Sequence, residues 1–373
     1  MSLQFEEEFS KKDWLEKMFR KSESFRTKNT AKTSLRMFDL FCQNEGLTES
    51  QMIERYQEML KVDDMKKDPN IRGVCLSFDK FIQFLGQDHD EIILHPDVAP
   101  MPFKKKSPKS IKTYFSFVKS YLRICHAIKI STDDIKDYVT FPKLRKEPRR
   151  AISLETLKLI LNNASPRRRA LYYVLITSGM RIAEALALKI KNFHFNENPV
   201  RITLDAETTK SKVGRETYIS SEALEKLKPL IEGKKENEKI FTDFDDIDNA
   251  VDIEEQMFID LRKRLGLLEK YPNSPRYIVN LHCFRAYFYT KASQKHGSDY
   301  ANALIGHGAY LEQYFRKQLE EKAKMYKELE PDLFIESVKL ETEKKKDDTI
   351  EKLQKQMQEI QDEMTRIKFL NKT

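Results

Sequence analysis

Residues 281–314 read LHCFRAYFYTKASQKHGSDYANALIGHGAYLEQY. His282 and Arg285 stand three positions apart, which puts them on one face of a helix. An amphipathic helical pattern follows and ends at Gly306, a residue type suited to stopping a helix. His307 comes next, and Tyr314 lies seven residues beyond it. A guanidinium binds oxyanions through paired donors, and a phenol is a nucleophile. With two histidines to handle protons, the stretch is one half of a site for chemistry on phosphate. The remaining cations must come from upstream.

Breaking a phosphodiester without a metal puts extra negative charge on the non-bridging oxygens and requires a proton for the departing oxygen. Two segments carry residues of the needed type. In TSGMRIAEALAL, Arg181 follows a Ser-Gly break and opens a helix, and Glu184 is one turn on to hold it. In TKSKVGRETYIS, Lys212 falls in a turn between two short β-type runs, 200–204 and 216–220, with Lys210 as a second candidate. Each residue alone has an ordinary reading. Arg181 and Glu184 would be a surface ion pair, Lys212 a solvated lysine, His307 a helix cap and Tyr314 a packed aromatic. Their combination in this order is far more specific.

Composition agrees with such a partner without requiring it. The chain has 373 residues, a formal net charge of +8 and 34% charged residues. Its length corresponds to about two domains, and its basic balance favours a polyanion. Four widely spaced cysteines form no CxxC or Cys/His cluster, so a structural zinc site is not expected. They read as reduced thiols. The N-terminus has no apolar leader and no apolar run is long enough for a bilayer, so a cytoplasmic protein without membrane contact is expected.

Ten glycines among abundant Leu, Lys and Glu predict mostly helix. Helices are expected over 12–22, 30–46 (capped by Thr30), 49–61 and 77–85, and from Ser107-Pro108 onward. Residues 1–140 thus read as one all-helical domain. The segment 95–102 carries three prolines and reads as a loop. Residues 141–150, FPKLRKEPRR, form a basic linker containing Lys143, Arg145, Lys146, Arg149 and Arg150. A second domain, 151–335, starts at a helix capped by Ser153. Helices over 222–232 and 254–266 and a loop over 269–280 follow, and beyond Tyr314 the helical pattern runs to about Glu328 and breaks at Pro331. In 336–373, Ile350, Leu353, Met357, Ile360, Met364 and Ile367 alternate in steps of three and four, the seam of a coiled coil.

TSGMRIAEALAL resembles the first arginine box of the tyrosine recombinase (phage integrase-type) family. TKSKVGRETYIS resembles its β-hairpin lysine segment, LHCFRAYFYTKA its HxxR box, and ALIGHGAYLEQYF its terminal histidine and tyrosine box. The resemblance implies a mainly α fold with a small β-sheet: a helical core-binding domain and a mixed α/β catalytic domain closing as a clamp on double-stranded DNA. It implies that Arg181 and Arg285 grip the scissile phosphate, that His282 assists and takes the tyrosine's proton, that Lys212 is the general acid, and that His307 supports the transition state. Glu184 would hold the arginine box, and Tyr314 would form a 3′-phosphotyrosine link. No cofactor and no metal are called for. A homo-oligomer, a tetramer on synapsed DNA, is the expected assembly.

The interval from His307 to Tyr314 is shorter than in many members and resembles integrases of archaeal viruses and plasmids. It leaves Tyr310 as the alternative nucleophile, and cleavage in cis or in trans open. Lys104, Lys105, Lys106, Lys109 and Lys112, the linker cations, and Arg167, Arg168 and Arg169 are candidate DNA contacts. Two rival readings remain: a type IB topoisomerase, which shares the chemistry but exchanges no strands between sites, and an inactive architectural DNA-binding protein.

Overall fold

The computed structural model describes residues 9–61, 70–92, 101–144, 150–209, 212–272, 274, 276–307 and 318–336. The chain divides into two compact units, Met1–Lys146 and Glu147–Thr373.

The first unit contains six helices among the described residues: α1 (Lys11–Ser22), α2 (Phe25–Asn44), α3 (Glu49–Leu60), α4 (Ile71–Gly86), α5 (Pro108–Cys125) and α6 (Thr132–Tyr138). Each starts where a side chain can serve the orphan N–H groups of its first turn. Ser10 and Thr48 form capping boxes with Asp13 and Gln51, and Ser107 caps α5 ahead of Pro108. Apolar stripes then close on one core built around Trp14, Phe38, Phe41, Phe78 and Phe81. The Trp14 indole donates to Ser120 at 3.4 Å, and the Tyr121 hydroxyl to Glu49 at 2.9 Å.

Three expectations are corrected. Helix α2 starts five residues before Thr30 and is capped by Ser24, because Phe25–Thr30 continue the turn and Thr30 bonds back to Arg26. Helix α4 begins at Ile71, capped by Asn70, well ahead of Ser77. The unit is not all-helical: β1 (His89–Ile92) and β2 (Met101–Phe103) pair antiparallel, which places Pro102 in a strand.

The second unit is organised around α8 (Pro166–Ser178), buried all round from Ala170 to Ser178. A helix apolar on every face belongs at the centre of a fold. Around it pack α7 (Leu154–Asn163), α9 (Ile182–Ala187), α10 (Ser221–Ile231), α12 (His282–Ile305), α13 (Leu319–Leu333) and the strand β5 (Arg215–Ile219). Helix α11 (Ile247–Arg264) packs on α7 and α9. Strands β3 (Phe193–His194), β4 (Val200–Leu204) and β5 form an antiparallel sheet in that order. Ser153 caps α7 as its sequence position predicts.

Three helices depart from the periodic reading. Helix α11 starts at Ile247, capped by Asp246, seven residues ahead of the start expected at 254. Gly297, at φ +84°, breaks α12, so residues 298–305 take a direction of their own. Pro331 lies inside the last turn of α13 without ending it, and Tyr326, Leu329, Leu333 and Ile335 are all fully buried. The tail expected over 336–373 lies, from residue 337, outside the described residues.

Candidate active site

The site grows from the C-terminal end of α8. The last carbonyls of a helix have no partner within it. Here three successive carbonyls are each claimed by a different element. Thr177 O accepts from the Tyr326 hydroxyl of α13 at 2.7 Å, and Ser178 O from the Thr217 hydroxyl of β5 at 2.8 Å. Gly179 O accepts from Arg285 Nη1 of α12 at 2.7 Å. Gly179 itself sits at φ +67°, and an added Cβ would lie 2.3 Å from Phe288 Cδ1, so only glycine fits the turn. Two residues later the chain reaches Arg181, the N-cap of α9.

Arg181 is held by Glu184, as its place one turn ahead predicts. Its Nη1 and its backbone N–H each donate to the carboxylate at 2.8 Å. Glu184 is buried, and Arg215 of β5 donates to both its oxygens, at 3.1 and 2.5 Å. Burial opposes ionisation of Glu184, but the hydrogen bonds and charge of Arg215, with those of Arg181, outweigh it and hold the carboxyl below its usual range.

Arg285 is 5% exposed. Its two terminal nitrogens donate to backbone carbonyls, Nη1 to Gly179 O and Nη2 to Ile305 O, both at 2.7 Å. No described carboxylate forms an ion pair with it. Burial, followed by repulsion from Arg181, pulls its pKa well below the usual guanidinium range, to about 9, against a smaller opposing attraction from Glu184. A buried guanidinium satisfied by dipoles rather than by a counter-charge is poised for an anion.

His282 stands at the start of α12, exposed, with its backbone N–H capped by Asn280 Oδ1 at 3.1 Å. His307 follows Gly306, whose αL geometry ends α12, and is also exposed. Lys212 occupies the turn before β5 at φ +55° with its side chain exposed. The turn is tied by Thr209, whose hydroxyl accepts from Val213 N at 3.1 Å. Arg181, Glu184 and Arg285 are thus brought together, with His282 and His307 on the elements that carry Arg285 and its carbonyl partner. Lys210, Tyr310 and Tyr314 lie outside the described residues.

Arg215 was missed by the sequence reading, which began the strand at Glu216. Its signal was the period of two: Arg215, Thr217 and Ile219 share the inward face of β5, so an arginine stood at a core position.

Among the candidate DNA contacts, Lys104, Lys105, Lys109, Lys112 and Lys143 are exposed. Lys104 lies 4.0 Å from Asp88, Lys106 sits 4.4 Å above the Phe103 ring, and Lys112 is 5.8 Å from the Phe141 ring. Arg150 pairs with Glu269 at 2.7 Å on an open surface, while Arg145, Lys146 and Arg149 lie outside the described residues. The arginine run is corrected. Arg168 donates to both oxygens of the buried Glu254, and Arg169 to Leu161 O and Asn162 O at the end of α7. Both side chains anchor neighbouring helices to α8, which leaves Arg167 as the outward member.

Residues 150–310 match the model of the phage integrase family. The chain is 29% identical over 107 residues to the tyrosine recombinase XerC of Chlamydia caviae, a match covering 26% of this chain and 34% of that protein. The matched part thus spans about a third of the curated relative's length. Among solved structures, the XerH recombinase bound to its difH substrate is 18% identical with a TM-score of 0.46, covering 83% of this chain and 82% of that one. The Tn1549 transposon integrase with transposon right-end DNA is 13% identical with a TM-score of 0.49, covering 83% and 96%.

Proposed function

Because residues 150–310 belong to the phage integrase family, we propose that the chain is a site-specific DNA recombinase acting through a 3′-phosphotyrosine intermediate. The observation that carries this reading is Arg285: a buried guanidinium held on two carbonyls, beside Arg181, with no carboxylate paired to it among the described residues. A metal-free phosphoryl-transfer site needs such a cation, because a non-bridging phosphate oxygen then supplies the missing counter-charge.

In this reading, Arg181 and Arg285 bind the non-bridging oxygens of the scissile phosphate. The Tyr314 hydroxyl attacks phosphorus, passing its proton to His282, and the bond to the 5′-oxygen breaks. Lys212 gives that oxygen its proton, and His307 donates a hydrogen bond to the phosphoryl group as charge builds. The products are a 3′-phosphotyrosyl strand and a free 5′-hydroxyl. Attack by a partner strand's 5′-hydroxyl reverses the steps and restores the phenol. The bond energy stays in the phosphotyrosyl link, so no nucleotide is consumed.

The helical first unit and the exposed cations Lys104, Lys105, Lys109, Lys112 and Lys143 would grip the duplex backbone, with the 141–150 linker following it. The domain scheme is a helical DNA-binding region over 1–140, a catalytic region over 151–335 and a self-associating tail over 336–373. A tetramer on two synapsed duplexes is the working assembly. No helix among the described residues is long and apolar enough to cross a membrane. We assign the protein to the cytoplasm with the DNA it rearranges.

The test is adduct capture. Incubated with nicked duplexes of randomised core sequence, the wild type should yield a covalent protein–DNA species, and Tyr314→Phe should not. An adduct that survives in Tyr314→Phe and is lost in Tyr310→Phe would move the nucleophile. Parallel Lys212→Ala and Lys210→Ala variants assign the general acid. No adduct from the wild type would leave only a DNA-binding protein. Relaxation of supercoiled plasmid without strand exchange would make it a topoisomerase.

A further inference from the structure

Among the described residues, Arg215 is the one buried cation of the site to which the reaction gives no task. Its side chain is 3% exposed, and its contacts reach two separate segments, α9 and the end of α12. Nη1 and Nη2 bracket the Glu184 carboxylate, the same group that holds the Arg181 guanidinium and backbone. Nε donates to Leu304 O at 3.1 Å, next to the Ile305 carbonyl that receives Arg285. Its aliphatic stem lies under Gly306, where an added Cβ would be 2.8 Å from Arg215 Cδ. His307 is the following residue, and Lys212 lies three residues before Arg215 at the entry to the same strand.

We propose that Arg215 is the positioning residue of the active site, one guanidinium that sets Arg181, the end of α12 with His307, and the Lys212 turn in register. The inference rests on the strand-transfer reading. Each nitrogen of the Arg215 guanidinium donates to Glu184 or Leu304 O, and the side chain is 3% exposed, so its proposed task is to hold other groups rather than the reacting atoms.

The planar fork is what makes this possible. Two parallel donors fix the Glu184 carboxylate in orientation, and Glu184 in turn fixes Arg181. The third donor, on Nε, points the other way along the chain, to α12. An ammonium is a single charged point and cannot span both partners. The arrangement also explains Gly306: a side chain there would displace the guanidinium from beneath the last turn of α12.

The test uses Arg215→Met, Arg215→Lys and Glu184→Gln in the full-length chain, with nicked-duplex adduct formation and duplex affinity measured separately. Arg215→Met should slow adduct formation by about 100-fold, the size of effect expected from misplacing catalytic groups by an ångström. Duplex affinity should stay within about threefold, since the phosphate-gripping lysines are untouched. Arg215→Lys should remain far below wild type. The Arg215→Met/Glu184→Gln double variant should be no slower than the slower single variant, because the two act through one another. Multiplying losses in the double variant, full activity in Arg215→Lys, or an unslowed Arg215→Met would each overturn the proposal.

If Arg215→Met folds poorly, the same comparison is made on Arg215→Lys with its melting temperature checked. Failure of the wild type to form any adduct counts against the strand-transfer reading alone. The Arg181 Nε–Hε resonance of the free protein then tests the positioning. It should move in Arg215→Met, and an unmoved signal would mean Arg215 only fills space.

Discussion

Arg285 reaches across 106 positions of sequence to donate to the carbonyl of Gly179 at 2.7 Å. The bond joins the helix that carries the second arginine to the turn that delivers the first. It is possible because Gly179 turns the chain at φ +67° against the Phe288 ring, leaving its carbonyl aimed at α12.

That turn predicts an asymmetry between two glycines. Gly46 and Gly179 both have positive φ, but nothing lies within 4 Å of a Cβ at Gly46. Gly46→Ala should cost only the left-handed backbone term, about 1–2 kcal/mol. Gly179→Ala adds the clash with Phe288 and should cost about 1–3 kcal/mol more. Urea unfolding of both variants checks this, and equal losses would contradict it.

Arg285 predicts a proton linkage. Burial and the neighbouring Arg181 charge lower its folded-state pKa to about 9, well below the ordinary guanidinium value. Between those values the unfolded chain keeps a proton that the folded chain has released, so this group's contribution to stability rises as pH climbs through about 9. A bound phosphate favours the charged form and should push the value back up. The 13Cζ resonance of Arg285, titrated with and without inorganic phosphate, should show a midpoint near 9 in the free protein and a higher one with phosphate. A midpoint that ignores phosphate would remove Arg285 from the oxyanion site.

Tyr326 predicts that α13 supports the site from behind. Its buried hydroxyl donates to Thr177 O at 2.7 Å, two residues before Gly179. Tyr326→Phe strands that carbonyl and should cost about 1–3 kcal/mol. A loss below about 0.5 kcal/mol, the scale of an ordinary surface change, would mean the bond contributes nothing.

The exposed lysines predict a salt signature. If Lys104, Lys105 and Lys109 each contact a phosphate, replacing any one by Ala should reduce the slope of log affinity against log salt by about 0.9. Lys106 is half-buried over the Phe103 ring and should change the slope less. Fluorescence anisotropy with a labelled duplex at several salt concentrations measures this. Unchanged slopes would place the DNA elsewhere.

Local signals were legible where they were chemically unambiguous. Ser107-Pro108 and Ser153 announce their helices because a hydroxyl ahead of a first turn satisfies free N–H groups. Arg181 and Glu184, one turn apart, could be paired from sequence because the contact is made within one turn. The extra turns of α2 and α4 ahead of Thr30 and Ser77 were not legible, since several residues there could serve as caps and packing made the choice. The break at Gly297 was hidden because a lone glycine inside a periodic stretch is often tolerated. Pro331 was over-read, because the last turn of α13 accommodates it.

The sequence by itself determined the kinds of residue available, their order and the helices and strands that carry them. Those follow from contacts within a few residues: periodicity, caps, turns and the spacing of His282 and Arg285. Only the tertiary structure decided what each cation does. Arg168, Arg215 and Arg285 are all arginines on regular elements. One grips Glu254 to anchor a helix, one brackets Glu184, and one is held on two carbonyls with no carboxylate paired to it among the described residues. The difference lies in partners 20 to 106 positions away, brought within reach by packing around α8. Burial then converts those separations into electrostatics strong enough to shift a guanidinium's proton affinity.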